Sequence, residues 1–332
     1  MELYIAPEFQ VKADSSNIIG GKFNLKANLD NPRVVHIYIR DNEGNNIYMM
    51  NILAEAGSIH LVAEKGKDRV PRVINSKLND DFVSCRDYAR NLQASKDSYN
   101  LSKAINKYYL AGDKENVNNL EIKKIEITKS IIDSILAWKP TTVSKQVQIY
   151  YVCDYASSLP ISEQIEISNI FPKNYKGSYY LNKFREDIEN AKKVELGCFS
   201  PNFKLKDLSG KEYSLDSFKG KYIFLEFSAS WCGWCKKEIP FVRAAYNELK
   251  DKNIAFVTVN MDTTREKWEG DVTKENIEWF CLSNLEGMNS DLAKSFNIHG
   301  IPACFVIDPN GKIIKKDIRG TEVLKYLSQI TK

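Results

Sequence analysis

An apolar run, Tyr222-Ile223-Phe224-Leu225-Glu226-Phe227, stops five residues short of two cysteines spaced as Cys232-Gly233-Trp234-Cys235. So short a run of aromatic and aliphatic residues suits a strand buried on both faces. Ser228-Ala229-Ser230-Trp231 then turns the chain, and a helix starts at the first cysteine. A helix N-terminus presents unpaired N–H groups and the positive end of the dipole, which favour thiolate over thiol. Cysteines placed this way titrate at about 3.5–7.5 instead of about 8.5. A spacing of three returns the second sulfur to the same helix face, where it can attack a mixed disulfide formed at the first.

Zinc sites also use a Cys-x-x-Cys pair, but they need a second Cys or His pair. The three histidines, His36, His60 and His299, are far apart and have no such neighbour, so redox chemistry is expected and a metal is not. The cysteines number seven, an odd count, and are otherwise scattered, which is no disulfide scaffold. Cys85, Cys153, Cys198 and Cys281 read as buried small hydrophobes. Cys304, two residues past Pro302, reads as a third reactive thiol or, better, as a core cysteine.

The 332 residues suit two or three domains. A net charge of +4 without a dense Lys/Arg block makes nucleic acid or a membrane surface an unexpected partner. No run approaches the roughly 18 apolar residues of a membrane span. Met1-Glu2-Leu3-Tyr4 carries neither a basic nor an apolar leader region. A cytoplasmic protein and an exported one whose leader has been removed both fit.

Residues 1–80 read as a small antiparallel β domain. Val34-Val35-His36-Ile37-Tyr38-Ile39, the turn residues 41–46 and Ile47-Tyr48-Met49-Met50 form a hairpin signature, and 59–63 adds a strand. Residues 81–193 read as a helical spacer, with Val83, Tyr88 and Leu92, then Leu120 to Leu136, at helical spacing and Pro140 closing the long helix. Its many tyrosines read as packed stems more readily than as a binding face. Residues 194–332 alternate strand and helix, with strands at 222–227, 254–260, 303–307 and 312–317 and helices near 264–276, 289–296 and 321–330. The fold class is therefore multi-domain α+β ending in an α/β domain with a partly parallel sheet.

Four motifs carry a family resemblance. They are Gly197-Cys198-Phe199-Ser200-Pro201-Asn202-Phe203, Phe218-Lys219-Gly220-Lys221, Trp231-Cys232-Gly233-Trp234-Cys235 with Glu238 and Pro240, and Gly300-Ile301-Pro302 followed by Val306-Ile307-Asp308-Pro309-Asn310-Gly311-Lys312. With these, residues 194–332 resemble the TlpA/ResA-like thiol–disulfide oxidoreductases of the thioredoxin superfamily, often carried under the AhpC/TSA label. The stretch between 260 and Gly300 also has room for the insertion of that group. The first two-thirds resemble the β domain of unassigned function (DUF4369-like) and helical spacer of Bacteroidetes-type proteins, anchored on Gly20-Gly21-Lys22-Phe23-Asn24-Leu25.

The resemblance implies that Cys232 attacks and Cys235 resolves, with no cofactor beyond their redox-active disulfide. Pro302 matches the family's cis-proline, which leaves the Ile301 backbone, next to Gly300, free to pair with a substrate strand. Trp231 and Trp234 then flank the site as partner-binding aromatics or as ordinary packing. Glu226 stands where thioredoxin has a buried aspartate, suited to shuttling the Cys235 proton. Glu238 matches a family glutamate, and tuning of the thiols and a solvated helix face both fit it. Pro240 matches a helix-kinking proline.

The implied reaction is reduction of a disulfide-bearing partner protein in the periplasm or envelope, with an upstream thiol reductant. The N-terminal region is then a scaffold or a homo-oligomer surface. A peroxiredoxin is the second reading, although a Pro-x-x-x-Thr/Ser-x-x-Cys loop is missing. A third is a binding protein whose N-terminal region captures a ligand or an envelope partner.

Overall fold

The computed structural model describes residues 2–6, 14–17, 19, 24–25, 32–40, 43, 46–55, 57–62, 72–110, 113–138, 144–173, 175 and 178–331. Gly20 to Phe23, most of the 41–46 turn, Ala63 and Pro140 lie outside the described residues. The chain divides into two compact units, Met1–Glu186 and Asp187–Lys332.

In the first unit, β1 (Glu2–Ala6), β2 (Asp14–Asn17), β3 (Arg33–Arg40) and β4 (Asn46–Ala54) form an antiparallel sheet in the order β2-β1-β3-β4. A two-stranded sheet pairs β5 (His60–Val62) with β6 (Arg72–Ile74). Alternation puts Val35, Ile37, Ile52 and Ala54 into one buried cluster. The helices are α1 (Lys77–Asn91), α2 (Gln93–Leu110), α3 (Lys114–Ala137), α4 (Lys145–Ala156) and α5 (Ile161–Asn169), followed by α6 (Tyr179–Lys193), within which the division between the units falls. Ser76, Asp113 and Ser144 cap α1, α3 and α4, as short polar side chains do at helix starts.

Asn79 of α1 bonds both the N–H and the C=O of Leu53, at 2.9 and 2.8 Å, which ties helix to sheet. Tyr150, Tyr151 and Tyr180 pack with Phe82 in an aromatic cluster, and Tyr88 stacks on Trp138. Those tyrosines are packed stems. Tyr99 and Tyr109 remain exposed.

In the second unit, a small hairpin of β7 (Lys204–Lys206) and β8 (Glu212–Ser214) precedes a five-stranded sheet. The remaining elements are β9 (Tyr222–Ser228), α7 (Gly233–Leu249), β10 (Ile254–Asn260), α8 (Arg265–Lys274), β11 (Phe280–Leu282), α9 (Asp291–Ser295), β12 (Ala303–Ile307), β13 (Ile313–Lys316) and α10 (Glu322–Ile330). The sheet order is β11-β10-β9-β12-β13, with the first three strands parallel and the last two antiparallel to their neighbours.

β9 lies in the middle and is buried on both faces, so its sequence reads as one apolar run. Leu225 and Phe227 enter one core with Val257, Phe296 and Phe305. Phe224 enters the other with Phe256, Val306, Ile239 and Val242 of α7, and Leu327 of α10. Glu226 alternates onto the α7 side.

Candidate active site

Cys232 and Cys235 form a disulfide at the first turn of α7. Cys232 is the N-cap residue, and its sulfur accepts the Cys235 backbone N–H at 3.1 Å. A sulfur in that position faces the free donors of the helix end. Both cysteines are buried, whereas Trp231 and Trp234 beside them are 49% and 55% exposed. The Lys237 ammonium lies 4.2 Å from the centre of the Trp234 ring.

Across the sheet end, the Ile301–Pro302 peptide is cis. The register pairing Ala303 with Phe227 sets the start of β12 beside the end of β9. The Ile301 carbonyl oxygen thereby comes to 3.5 Å from Cys232 Sγ. Gly300 is exposed just before it, and Ile301 and Pro302 are half-buried. Cys232, Cys235, Ile301 and Pro302, expected together from the sequence, are together.

Glu226 is 4% exposed, opposite Cys304 on β12 and Thr258 on β10. Burial pushes its carboxyl up, Arg319 pulls it down and Glu238 pushes it up again, to about 7. Glu238, one turn past Cys235, is half-buried, and its Oε2 accepts the Gly320 backbone N–H at 2.8 Å. This bond is not part of a solvated helix face. Pro240 lies inside α7. Cys304 is fully buried; burial pushes its thiol up to about 12.

Three residues at the site were not singled out from the sequence. Arg319 donates to the Pro302 carbonyl at 2.6 Å and to Cys304 Sγ at 3.1 Å. Asp262, just past β10, accepts from the Ser230 N–H and hydroxyl. Asp271 of α8 is buried and pairs with Lys236, the residue after Cys235. Asp262 was findable: it follows the apolar strand 254–260 by two residues, level with Ser230 past the neighbouring strand. Arg319 carries no such signal, because its neighbours come from a strand pairing rather than a spacing.

Among the described residues, no group of three or more His, Cys, Asp or Glu is arranged to hold a metal ion. No helix among them is long and apolar enough to cross a membrane.

Residues 196–316 match the AhpC/TSA family, and residues 1–82 match a domain of unknown function, DUF4369. The thiol-disulfide oxidoreductase ResA of Bacillus cereus is 30% identical over 145 residues, 44% of this chain and 82% of that one. ResA of Bacillus thuringiensis subsp. konkukian is 31% identical over 140 residues, 42% of this chain and 79% of the relative. Among solved structures, the thioredoxin domain of a thiol-disulfide oxidoreductase from Bacteroides vulgatus is 30% identical, covering 42% of this chain and 99% of that one with a TM-score of 0.41. On an identity of 30% spread over 82% of the relative's length, the chain belongs to the ResA family of thiol-disulfide oxidoreductases.

Proposed function

We propose that Cys232 and Cys235 are the redox pair and that the chain reduces disulfides of partner proteins. One observation carries this reading: the two sulfurs are bonded at a helix N-terminus, and Cys232 Sγ lies 3.5 Å from the Ile301 carbonyl oxygen that precedes Pro302. In the reduced protein, the Cys232 thiolate attacks one sulfur of a partner disulfide. A Cys232–partner bond forms, the partner S–S bond breaks, and its second sulfur leaves as a thiolate. Cys235 gives its proton to Glu226 and attacks Cys232 Sγ. The Cys232–Cys235 bond forms and the partner's remaining sulfur leaves. Two electrons pass to the partner, whose two thiolates take up protons from Glu226 and from solvent, and an upstream thiol reductant resets the pair.

Glu226, titrating at about 7, is matched to that proton transfer near neutral pH. Trp231 and Trp234 are exposed aromatics of the kind enriched at binding surfaces, and we assign them to partner contact. The backbone of Gly300 and Ile301 is then the edge on which an extended partner segment pairs. Glu238 holds the Gly320 turn against α7. No cofactor beyond the cysteine pair enters the reaction. The periplasm or cell envelope is the fitting compartment, since disulfide-bearing partners persist there. The N-terminal unit then serves as a scaffold or as a surface for assembly of like chains.

Peroxide chemistry is disfavoured because Phe227-Ser228-Ala229-Ser230-Trp231 occupies the place of a Pro-x-x-x-Thr/Ser-x-x loop. The test is trapping. A Cys235→Ala chain expressed in the envelope should remain disulfide-linked through Cys232 to its partners, and a Cys235→Ala/Cys232→Ala chain should not. No trapped partner, together with inertness toward insulin disulfides, sinks the reading.

A further inference from the structure

The loop that leaves β13 passes through a left-handed residue, Asp317 (φ 53°), and returns Arg319 to β12. The Arg319 side chain is 17% exposed. Its Nη2 donates to the Pro302 carbonyl at 2.6 Å, and its Nη1 donates to the Ile318 carbonyl at 2.9 Å and Cys304 Sγ at 3.1 Å. Guanidinium keeps its charge in proteins, so burying it requires compensation. Those three acceptors are neutral. The carboxylate bonded to it, Asp317 at 3.3 Å, is 64% exposed, and solvent screens that pair.

Of the acids that attract Arg319, Asp317 acts more strongly but lies at the surface, and Glu226 is the one buried inside the protein. Cys304, the residue on which the guanidinium rests, stands directly opposite Glu226 in the β9–β12 register, so the two groups share one buried face. The other groups facing Glu226 are Glu238 from α7, Cys304 from β12 and Cys281 from β11.

We propose that Arg319 is a positioning residue of the redox centre: its guanidinium is the fixed counter-charge of Glu226 and also the peg that holds the Pro302 carbonyl. One side chain from the far edge of the sheet thus ties the charge of the buried acid to the placement of Ile301–Pro302. The inference rests on the reading of Glu226 as the proton acceptor of Cys235. Burial and Glu238 both favour the neutral acid, and Arg319 opposes them. Without that opposition Glu226 holds its proton at pH 7 and cannot take another.

The test is single-turnover reduction of a peptide disulfide by the full-length reduced protein, followed against pH in four chains. The unaltered chain should show an inflexion near pH 7 that Glu226→Gln abolishes. Arg319→Gln keeps a donor for Pro302 but loses the charge, and should move the inflexion up by about one unit or more. Its rate at pH 7 should then fall about fivefold, as the ionised fraction of Glu226 drops from about one half to about one tenth. Arg319→Lys keeps the charge and should restore most of the inflexion's position. An inflexion that Glu226→Gln abolishes but Arg319→Gln leaves in place overturns the role of Arg319 and spares that of Glu226. A profile unchanged by Glu226→Gln sinks the Glu226 reading itself.

Circular dichroism establishes that each variant is folded. Should Arg319→Gln not fold, the Arg319 Nε signal of the unaltered chain is followed by NMR through the Glu226 titration. It should shift with that inflexion, and a flat signal overturns the proposal.

Discussion

Ser230 gives both of its donors to one carboxylate. Its backbone N–H reaches Asp262 Oδ2 at 2.9 Å, and its hydroxyl reaches Oδ1 at 2.7 Å. Asp262 is buried two residues past the end of β10. The loop that delivers Cys232 is therefore fastened to the neighbouring strand rather than left to its own turn preferences.

Removing that carboxylate strands two donors. Asp262→Ala should cost about 2–3 kcal/mol of stability, the range for losing buried bonds to a charged acceptor. Asp262→Asn, which keeps one acceptor oxygen, should cost less. Urea unfolding of the two variants checks the order, and equal losses would contradict it.

Lys236 is 25% exposed and pairs with the buried Asp271. Lys236→Met should destabilise by about 2–3 kcal/mol at pH 8, less than a fully buried pair because the ammonium is partly solvated. Burial already raises the Asp271 carboxyl above its ordinary 3.8, and loss of Lys236 raises it further. A raised carboxyl contributes stability at pH below its unfolded value and loses that contribution as pH rises through its folded value. The variant's deficit should therefore shrink on acidification, which thermal melts at pH 8 and pH 5 would register.

Glu226 obeys the same sign. Its carboxyl rises from 4.5 to about 7 on folding, so the native state holds a proton that the unfolded chain releases between those values. The oxidised protein should lose on the order of 3 kcal/mol from this group as pH rises from 4.5 to 7. Glu226→Gln should flatten that part of the stability curve. Chemical unfolding at half-unit pH intervals is the measurement.

Of the free cysteines, Cys85, Cys153, Cys281 and Cys304 are buried, and burial pushes each thiol up to about 12. Cys198 is half-buried, with its thiol donating to the Lys192 carbonyl at 3.4 Å. Iodoacetamide at pH 8 should modify Cys198 alone in the native oxidised protein, and Cys232 as well once a reductant is added. Peptide mass mapping reads this directly. Early labelling of Cys304 would revive it as a third reactive thiol.

How much was legible follows from how local each feature is. The strands at 222–227, 254–260 and 303–307 announce themselves because burial on both faces demands unbroken apolar runs. The same logic places the cysteine pair at the start of α7. Phe280–Leu282 escaped notice because three residues at a sheet edge have no period to detect. In the first unit, the hairpin of β3 and β4 is local and readable, but the order β2-β1-β3-β4 is a matter of distant pairing. At the site, Glu226 and Pro302 were expected from motifs that resemble a known family, whereas Arg319 reaches Pro302 from 17 residues downstream around a turn and belongs to no such motif.

The antiparallel pairing of β12 with β9 has a wider consequence. Cys232 and the Ile301–Pro302 turn are neighbours because Ala303 stands opposite Phe227 in the strand register, whatever chain lies between. The intervening segment enters through β10 and returns at β12, both held by the same sheet. Its length and surface can therefore diverge among relatives, or be redesigned to present a new recognition element, while the reacting atoms stay at their spacing. The spacing of the cysteine pair and the Ile301–Pro302 turn is thus set by the sheet, independently of the segment that joins them.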